Sequence, residues 1–150
     1  IRATNNPPDN MVAKKLIPYQ HICCASPEYL EKHGVPTHPD ELVNHNCLSD
    51  PNLRRWQFVD GTKTIEVETD GNMLLNDNLL LLTAAQQGIG IIKMPSYLVQ
   101  PSLDSGQLIQ LLPNYFIARS NIYLIYPPQL RSSNKLAAFI NFTQKWFTDK

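Results

Sequence analysis

Asn76-Asp77-Asn78 followed by LLLLTAAQQGIGIIKMP, residues 79–95, constrains this chain more than any other stretch. It reads as cap, buried helix, glycine stop, buried strand and proline break. Asp77, or Asn76 beside it, can accept from the free N–H groups of a first helical turn, and Gly88 can take the left-handed conformation that ends a helix. Leu79 to Leu82 cover every face of one turn, which predicts a helix with little exposed to water. Ile89, Ile91 and Ile92 form the β-branched run of a strand covered on both faces. Such an αβ unit belongs to an open α/β sheet, where small molecules bind at strand and helix ends near a crossover.

The 150 residues leave room for one domain or two small lobes with a real core. Lysine plus arginine is 13 and aspartate plus glutamate is 13, so no net field draws the chain to nucleic acid or to an anionic membrane. Cys23, Cys24 and Cys47 are an odd number in apolar surroundings. They suit reduced core thiols of a cytoplasmic protein, with redox sensing as the alternative. No run reaches the length of a membrane span, and IRATNNPPDN has no leader pattern. Beginning without Met, the chain reads as a piece of a longer protein.

Leu16 to Ala25 gives a strand pattern ending in the apolar run ICCA. Ser26-Pro27 then opens a helix carrying Tyr29 and Leu30, which Gly34 stops. Thr37-His38-Pro39-Asp40 is a capping-box pattern leading into a short helical turn through Leu42. Trp56 and Phe58, then Ile65 and Val67, alternate with polar residues on either side of Asp60-Gly61, the mark of a hairpin with one buried face. Met73 to Leu75 make another short strand, and Pro95 to Val99 a short helix. Ser105-Gly106 is a turn before a strand over Leu108 to Leu112. Ile122 to Tyr126 form a last buried strand, closed by Pro127-Pro128. In the terminal helix, capped by Ser133, the residues Leu136, Phe139, Ile140, Thr143, Trp146 and Phe147 recur at helical spacing and read as core packing.

The strings LIPYQHICCASPEYLEKHGVPTHPDELVNHNCL, WQF, NDNLLLLTAAQQGIGIIKMPSYL, SGQLIQLLP and IYLIYPP, in this order, closely resemble the effector-binding domain of bacterial LysR-type transcriptional regulators. The match covers nearly the whole chain. Its most specific parts are ASPEYL-x-x-HG at Ala25 to Gly34, DELxxHxCL at Asp40 to Leu48 and AAQQGIGIIKMP at Ala84 to Pro95. The resemblance implies an α/β fold like the type II periplasmic binding proteins: two α/β subdomains joined by two crossover strands, with a small effector in the cleft. It places the crossings near Tyr19 to Ser26 and Ser120 to Tyr126. Residues 1–22 are then part of a first subdomain that is incomplete in this chain, 23–119 the second, and 120–150 the return strand and helix of the first. The family's winged helix-turn-helix, linker helix and opening strands have no counterpart here. The resemblance further implies a cytoplasmic homodimer or homotetramer that meets DNA only through the missing N-terminal domain. The alternative is a solute-binding module of a transport system, which shares the architecture.

By resemblance, effector contacts come from Ser49, Asp50, Pro51 and Asn52, from the helix start at Asn76 and Asn78, and from Arg2 and Thr4 at a strand end. Hydroxyl, amide, helix N–H and guanidinium donors together favour an organic anion or polar metabolite. The same residues have plainer roles: an Asx/Pro turn for 49–52, helix capping for 76–78, and solvation for Arg2. No catalytic residue, metal site or cofactor is expected. His21, His33, His38 and His45 lack metal-ligand spacing, no serine sits in a nucleophile elbow, and Cys24 has no base fixed nearby in sequence.

Overall fold

In the computed structural model the chain runs through β1 (Arg2–Thr4), β2 (Val12–Tyr19), β3 (His21–Ala25), α1 (Pro27–His33), a 3-10 helix (Pro39–Asn44), β4 (Cys47–Leu48), β5 (Arg55–Asp60), β6 (Lys63–Glu68), α2 (Asn78–Gln86), β7 (Ile91–Pro95), α3 (Ser96–Asp104), β8 (Ile109–Leu111), β9 (Ser120–Tyr126), a second 3-10 helix (Pro128–Leu130) and α4 (Asn134–Thr148). The structure describes every residue except Asn5, Phe116, Ala118, Arg119, Asp149 and Lys150, and only the backbone of Phe147 and Thr148. The chain forms two compact units, residues 20–118 and residues 1–19 with 119–150.

The larger unit is built on a mixed four-stranded sheet in the order β4-β7-β3-β8. Strand β4 runs parallel to β7, whereas β3 is antiparallel to both β7 and β8. Because side chains alternate along a strand, β3, β4 and β7 each feed two cores. Cys23, Ala25, Cys47, Ile91 and Leu111 pack on one side with Tyr29 and Leu30 of α1 and with the hairpin residues Trp56, Phe58 and Val67. Cys24, Leu48, Ile92 and Met94 pack on the other with Leu81, Ala84 and Ala85 of α2 and Val99 of α3. The three cysteines are free and buried. Burial pushes the Cys24 and Cys47 thiols up to about 12, and Cys23 well above its usual range.

Local signals explain most element ends. Ser26 Oγ accepts from Tyr29 N–H at 3.2 Å, and Gly34, at φ 84°, closes α1. In the hairpin Asp60 faces Lys63 across Gly61-Thr62, with Gly61 at φ 58°. Helix α2 ends in a Schellman motif: Ile89 N–H donates to Ala84 O and Gly88 N–H to Ala85 O, with Gly88 at φ 76°.

Several expectations are corrected. Leu79 and Leu80 are 64% and 55% exposed, because α2 turns Leu81, Ala84 and Ala85, with Leu82 partly buried beside them, toward the core. Ile89 is spent in the helix cap, so β7 begins at Ile91. Leu16 to Ala25 is not one strand: β2 and β3 lie in different sheets and part at Gln20. His38, not Thr37, caps the first 3-10 helix, its Nδ1 accepting from Asp40 N–H, while Thr37 donates twice to the Glu41 carboxylate. Met73 to Leu75 form a single bridge, Ser49 to Leu74, instead of a strand. Helix α3 starts at Ser96 and runs on to Asp104, and β8 stops at Leu111 because Leu112 adopts φ 53°.

The smaller unit is a three-stranded antiparallel sheet, β1-β9-β2, with β9 in the centre and a bulge at Leu16. Ser133 Oγ accepts from Leu136 N–H at the start of α4. Only part of the expected core stripe is buried. Ile140 and Thr143 are and Leu136 is half-buried, but Phe139 and Trp146 are 51% and 53% exposed, as is the neighbouring Phe142 at 67%. The Phe147 side chain lies outside the described residues.

Candidate functional site

Asn46 is the residue that holds the strand end of the larger unit in place. Its Nδ2 donates to Asn72 Oδ1 at 2.9 Å and to Ile89 O at 2.7 Å, and its Oδ1 accepts from Asn72 N–H at 2.8 Å. Its own N–H donates to Tyr29 Oη at 2.9 Å. Two glycines let these segments approach. A Cβ on Gly71 would stand 2.1 Å from Cys47 O, and one on Gly90 2.3 Å from Asn46 O. The result is a rigid β4 whose C-terminal end delivers Ser49. Leu75 N–H donates to Ser49 O at 3.0 Å, fixing that residue's backbone as well.

Beside Ser49 lies a cavity of about 140 Å3 lined by His21, Ser49, Asp50, Leu53, Arg55, Trp56, Asn78, Leu81, Lys93 and Met94. Ser49 is 6% exposed, and its Oγ is buried without a hydrogen-bond partner among the described residues. An orphan hydroxyl of this kind costs roughly 1–3 kcal/mol unless something satisfies it. Lys93 enters from β7 with its Nζ 5.5 Å from the Trp56 ring centroid, a cation-π contact. Among the described residues Lys93 makes no salt bridge with a carboxylate. Burial lowers its pKa from the ordinary lysine range. Burial, and then the Lys93 charge, hold His21 down to about 4, so the imidazole is neutral at physiological pH. Arg55 is drawn to the hairpin by Glu66 and Glu68, at 3.3 and 3.6 Å.

The structure thus brings together three of the expected residues: Ser49, Asp50 and Asn78. Asn52 does not line the cavity. It closes an Asx turn, donating to Asp50 Oδ1 through N–H at 2.7 Å and Nδ2 at 3.2 Å. Asp77 caps α2, its Oδ1 accepting from Leu79 and Leu80 N–H at 2.9 and 3.1 Å, and Asn76 is exposed outside the lining. Arg2 and Thr4 lie on β1 of the smaller unit. Arg2 is exposed there, and the Thr4 hydroxyl is engaged with the backbone of Asn6. Lys93, His21 and Trp56 were not anticipated as site residues. The signal for Lys93 was present, since a lysine inside the otherwise apolar run IIKMP must find a reason for partial burial.

The arrangement offers a cation, an unpaired hydroxyl and an amide around a small opening, with a neutral imidazole at its edge. Chemically, that set suits acceptor-rich ligands, and the Ser49 hydroxyl in it is not paired with a base.

The LysR substrate-binding domain family matches residues 1–148. The chain is 33% identical over 150 residues to the transcriptional activator TtdR of Escherichia coli, covering 97% of this chain and 48% of that protein. The full-length virulence activator AphB of Vibrio cholerae superposes with a TM-score of 0.85 at 28% identity, over 97% of this chain and 50% of that one. The regulatory domain of CrgA from Neisseria meningitidis gives 0.83 at 25% identity, over 97% of this chain and 73% of that domain. This chain spans about half the length of the full-length relatives it matches. These relatives regulate transcription and are not transport solute-binding proteins, which removes the alternative raised from the sequence. The fold is that of LysR-type regulatory domains, the type II periplasmic-binding-protein-like architecture. The chain belongs to the LysR substrate-binding domain family and is the effector-binding domain of a LysR-type regulator.

Proposed function

We propose that this chain senses a small polar metabolite, and that the intact bacterial regulator passes the binding event to a DNA-binding domain outside these residues. The observation that carries the reading is the larger unit's cavity with its orphaned Ser49 hydroxyl, a polar opening at a strand end and a helix start. A ligand acts there only by binding two conformations of the domain unequally. The protein works in the cytoplasm without catalysing a reaction; among the described residues no helix is long and apolar enough to cross a membrane. The test is a reporter gene on the intact regulator's own promoter, read while cells receive single small metabolites. At least one should change expression, and Ser49→Val should abolish that response. A response identical in Ser49→Val removes the cavity from sensing.

The intact protein acts as a homodimer or homotetramer. Leu79 and Leu80, exposed side by side at the start of α2, supply an apolar contact of the kind that a second copy covers. Light scattering on the intact regulator should give a dimer or tetramer, and a Leu79→Glu, Leu80→Glu double variant a smaller species. An unchanged mass places the interface elsewhere.

A further inference from the structure

We propose that Lys93 is the residue that selects the ligand's charge: its ammonium and the Ser49 hydroxyl receive a carboxylate group of a small organic acid, inserted end-on into the larger unit's cavity. This deepens the sensor reading given above and rests on it.

Three observations converge. Lys93 is a cation held against the Trp56 ring face, and among the described residues it makes no salt bridge with a carboxylate. Ser49 Oγ, in a residue 94% removed from solvent by its 6% exposure, has an unused hydrogen to donate. Asn78, the first residue of the nine-residue helix α2, adds an amide at the same opening. A carboxylate accepts from the first two with its two oxygens and brings the negative charge that matches the ammonium, which a neutral amide or alcohol lacks.

Size decides how much of the ligand enters. Whole-ligand pockets run to roughly 300–1,000 Å3, whereas this cavity is about 140 Å3. It therefore takes one end of a molecule, a carboxylate with a carbon or two. The remaining charges agree with this. Arg55 is neutralised by Glu66 and Glu68, and His21 is neutral. The Asp50 carboxylate, the opposing charge in the lining, has one oxygen committed to Asn52. An uncharged ligand end would leave Lys93 unpaired, and a cationic one would face it directly.

The experiment is a two-dimensional amide NMR titration of the 150-residue chain with sodium acetate and sodium succinate, against acetamide and succinamide as neutral matches and sodium chloride at equal ionic strength. The acids should give saturable shifts at Ser49, Asn78 and Lys93, and the amides and chloride should not. Lys93→Met should weaken acid binding about 10- to 100-fold, the worth of a charge-assisted hydrogen bond, while Lys63→Met on the hairpin leaves it unchanged. The same spectra show whether Lys93→Met is folded. If it is not, the acid-against-amide contrast at these three amides in the wild-type chain decides alone. Equal shifts with the amides, no saturable shift with either acid, or a loss confined to Arg2→Ala overturns the proposal. Should the acids fail here while the intact regulator's reporter still answers a metabolite, Lys93 loses this role and the sensor reading stands. A silent reporter with acids still seated at Lys93 is the reverse.

Discussion

The two units of this chain use similar apolar patterns to different ends. In the larger unit both faces of the sheet are covered, one by α1 and the β5-β6 hairpin and the other by α2 and α3, so Trp56 is 1% exposed. In the smaller unit α4 buries Ile140 and Thr143 but leaves Trp146 53% exposed, its ring 6.5 Å from that of Phe142. Periodicity identifies a helix in both cases. It does not say how wide the buried stripe is, which depends on what packs against it. The lesson extends to function: a sheet covered on both faces fixes the backbone that carries Ser49 and Lys93, which the proposed site requires.

The largest effect that can break this comparison is a pair of tryptophan truncations. Trp56→Ala should cost about 3–5 kcal/mol of stability, and Trp146→Ala about 0.5 kcal/mol or less, read as urea unfolding midpoints at constant slope. Comparable losses would mean that α4 is packed as tightly as the larger core. Next, Gly90→Ala should cost about 3 kcal/mol, since the new methyl meets the Asn46 carbonyl, a backbone atom that cannot rotate away. The same substitution at Gly61, where nothing lies within 4 Å, meets no clash and pays only for its φ of 58°. Near-equal costs would remove the close approach as the reason for glycine.

A smaller, pH-dependent effect sharpens the account of the larger unit. His21 titrates near 4 in the folded chain and near 6.5 when unfolded. Above 6.5 the ring is neutral in both states and costs nothing. As pH falls from 6.5 towards 4 the unfolded chain takes up a proton that the folded chain refuses, so stability drops. With allowance for the ring's partial exposure, the loss attributable to His21 is about 2 kcal/mol. Unfolding of wild type and His21→Gln at pH 7 and pH 4 isolates this loss, because carboxylate titrations are common to both. A difference between the two proteins that does not change with pH would contradict the buried neutral imidazole.

Much of the larger unit was legible from residues that act locally. Ser26-Pro27, Asp60-Gly61, Asp77 and Gly88 each dictate a cap or turn within a few residues, and all four operate as expected. What was not legible depends on contacts far apart in sequence. Gln20 separates two strands that read as one, because β2 and β3 pair with different partners. The leucine run at 79–82 gave no clue to which side of α2 meets the sheet. Of the cavity lining, Ser49, Asp50 and Asn78 are legible in the sequence, and Asn52 and Asp77 are occupied by the turn and cap that their residue types favour. Lys93 sits in an apolar run, and its position beside Trp56 exists only because the hairpin covers the sheet face that Ile91 shares with it.

The most direct test of the central claim is a crystal structure of the chain grown with the organic acid that most raises its unfolding temperature. The account predicts electron density for a carboxylate within hydrogen-bond distance of Ser49 Oγ and Lys93 Nζ, in the cavity beside Trp56. Density for the acid elsewhere, with that cavity empty, would contradict it.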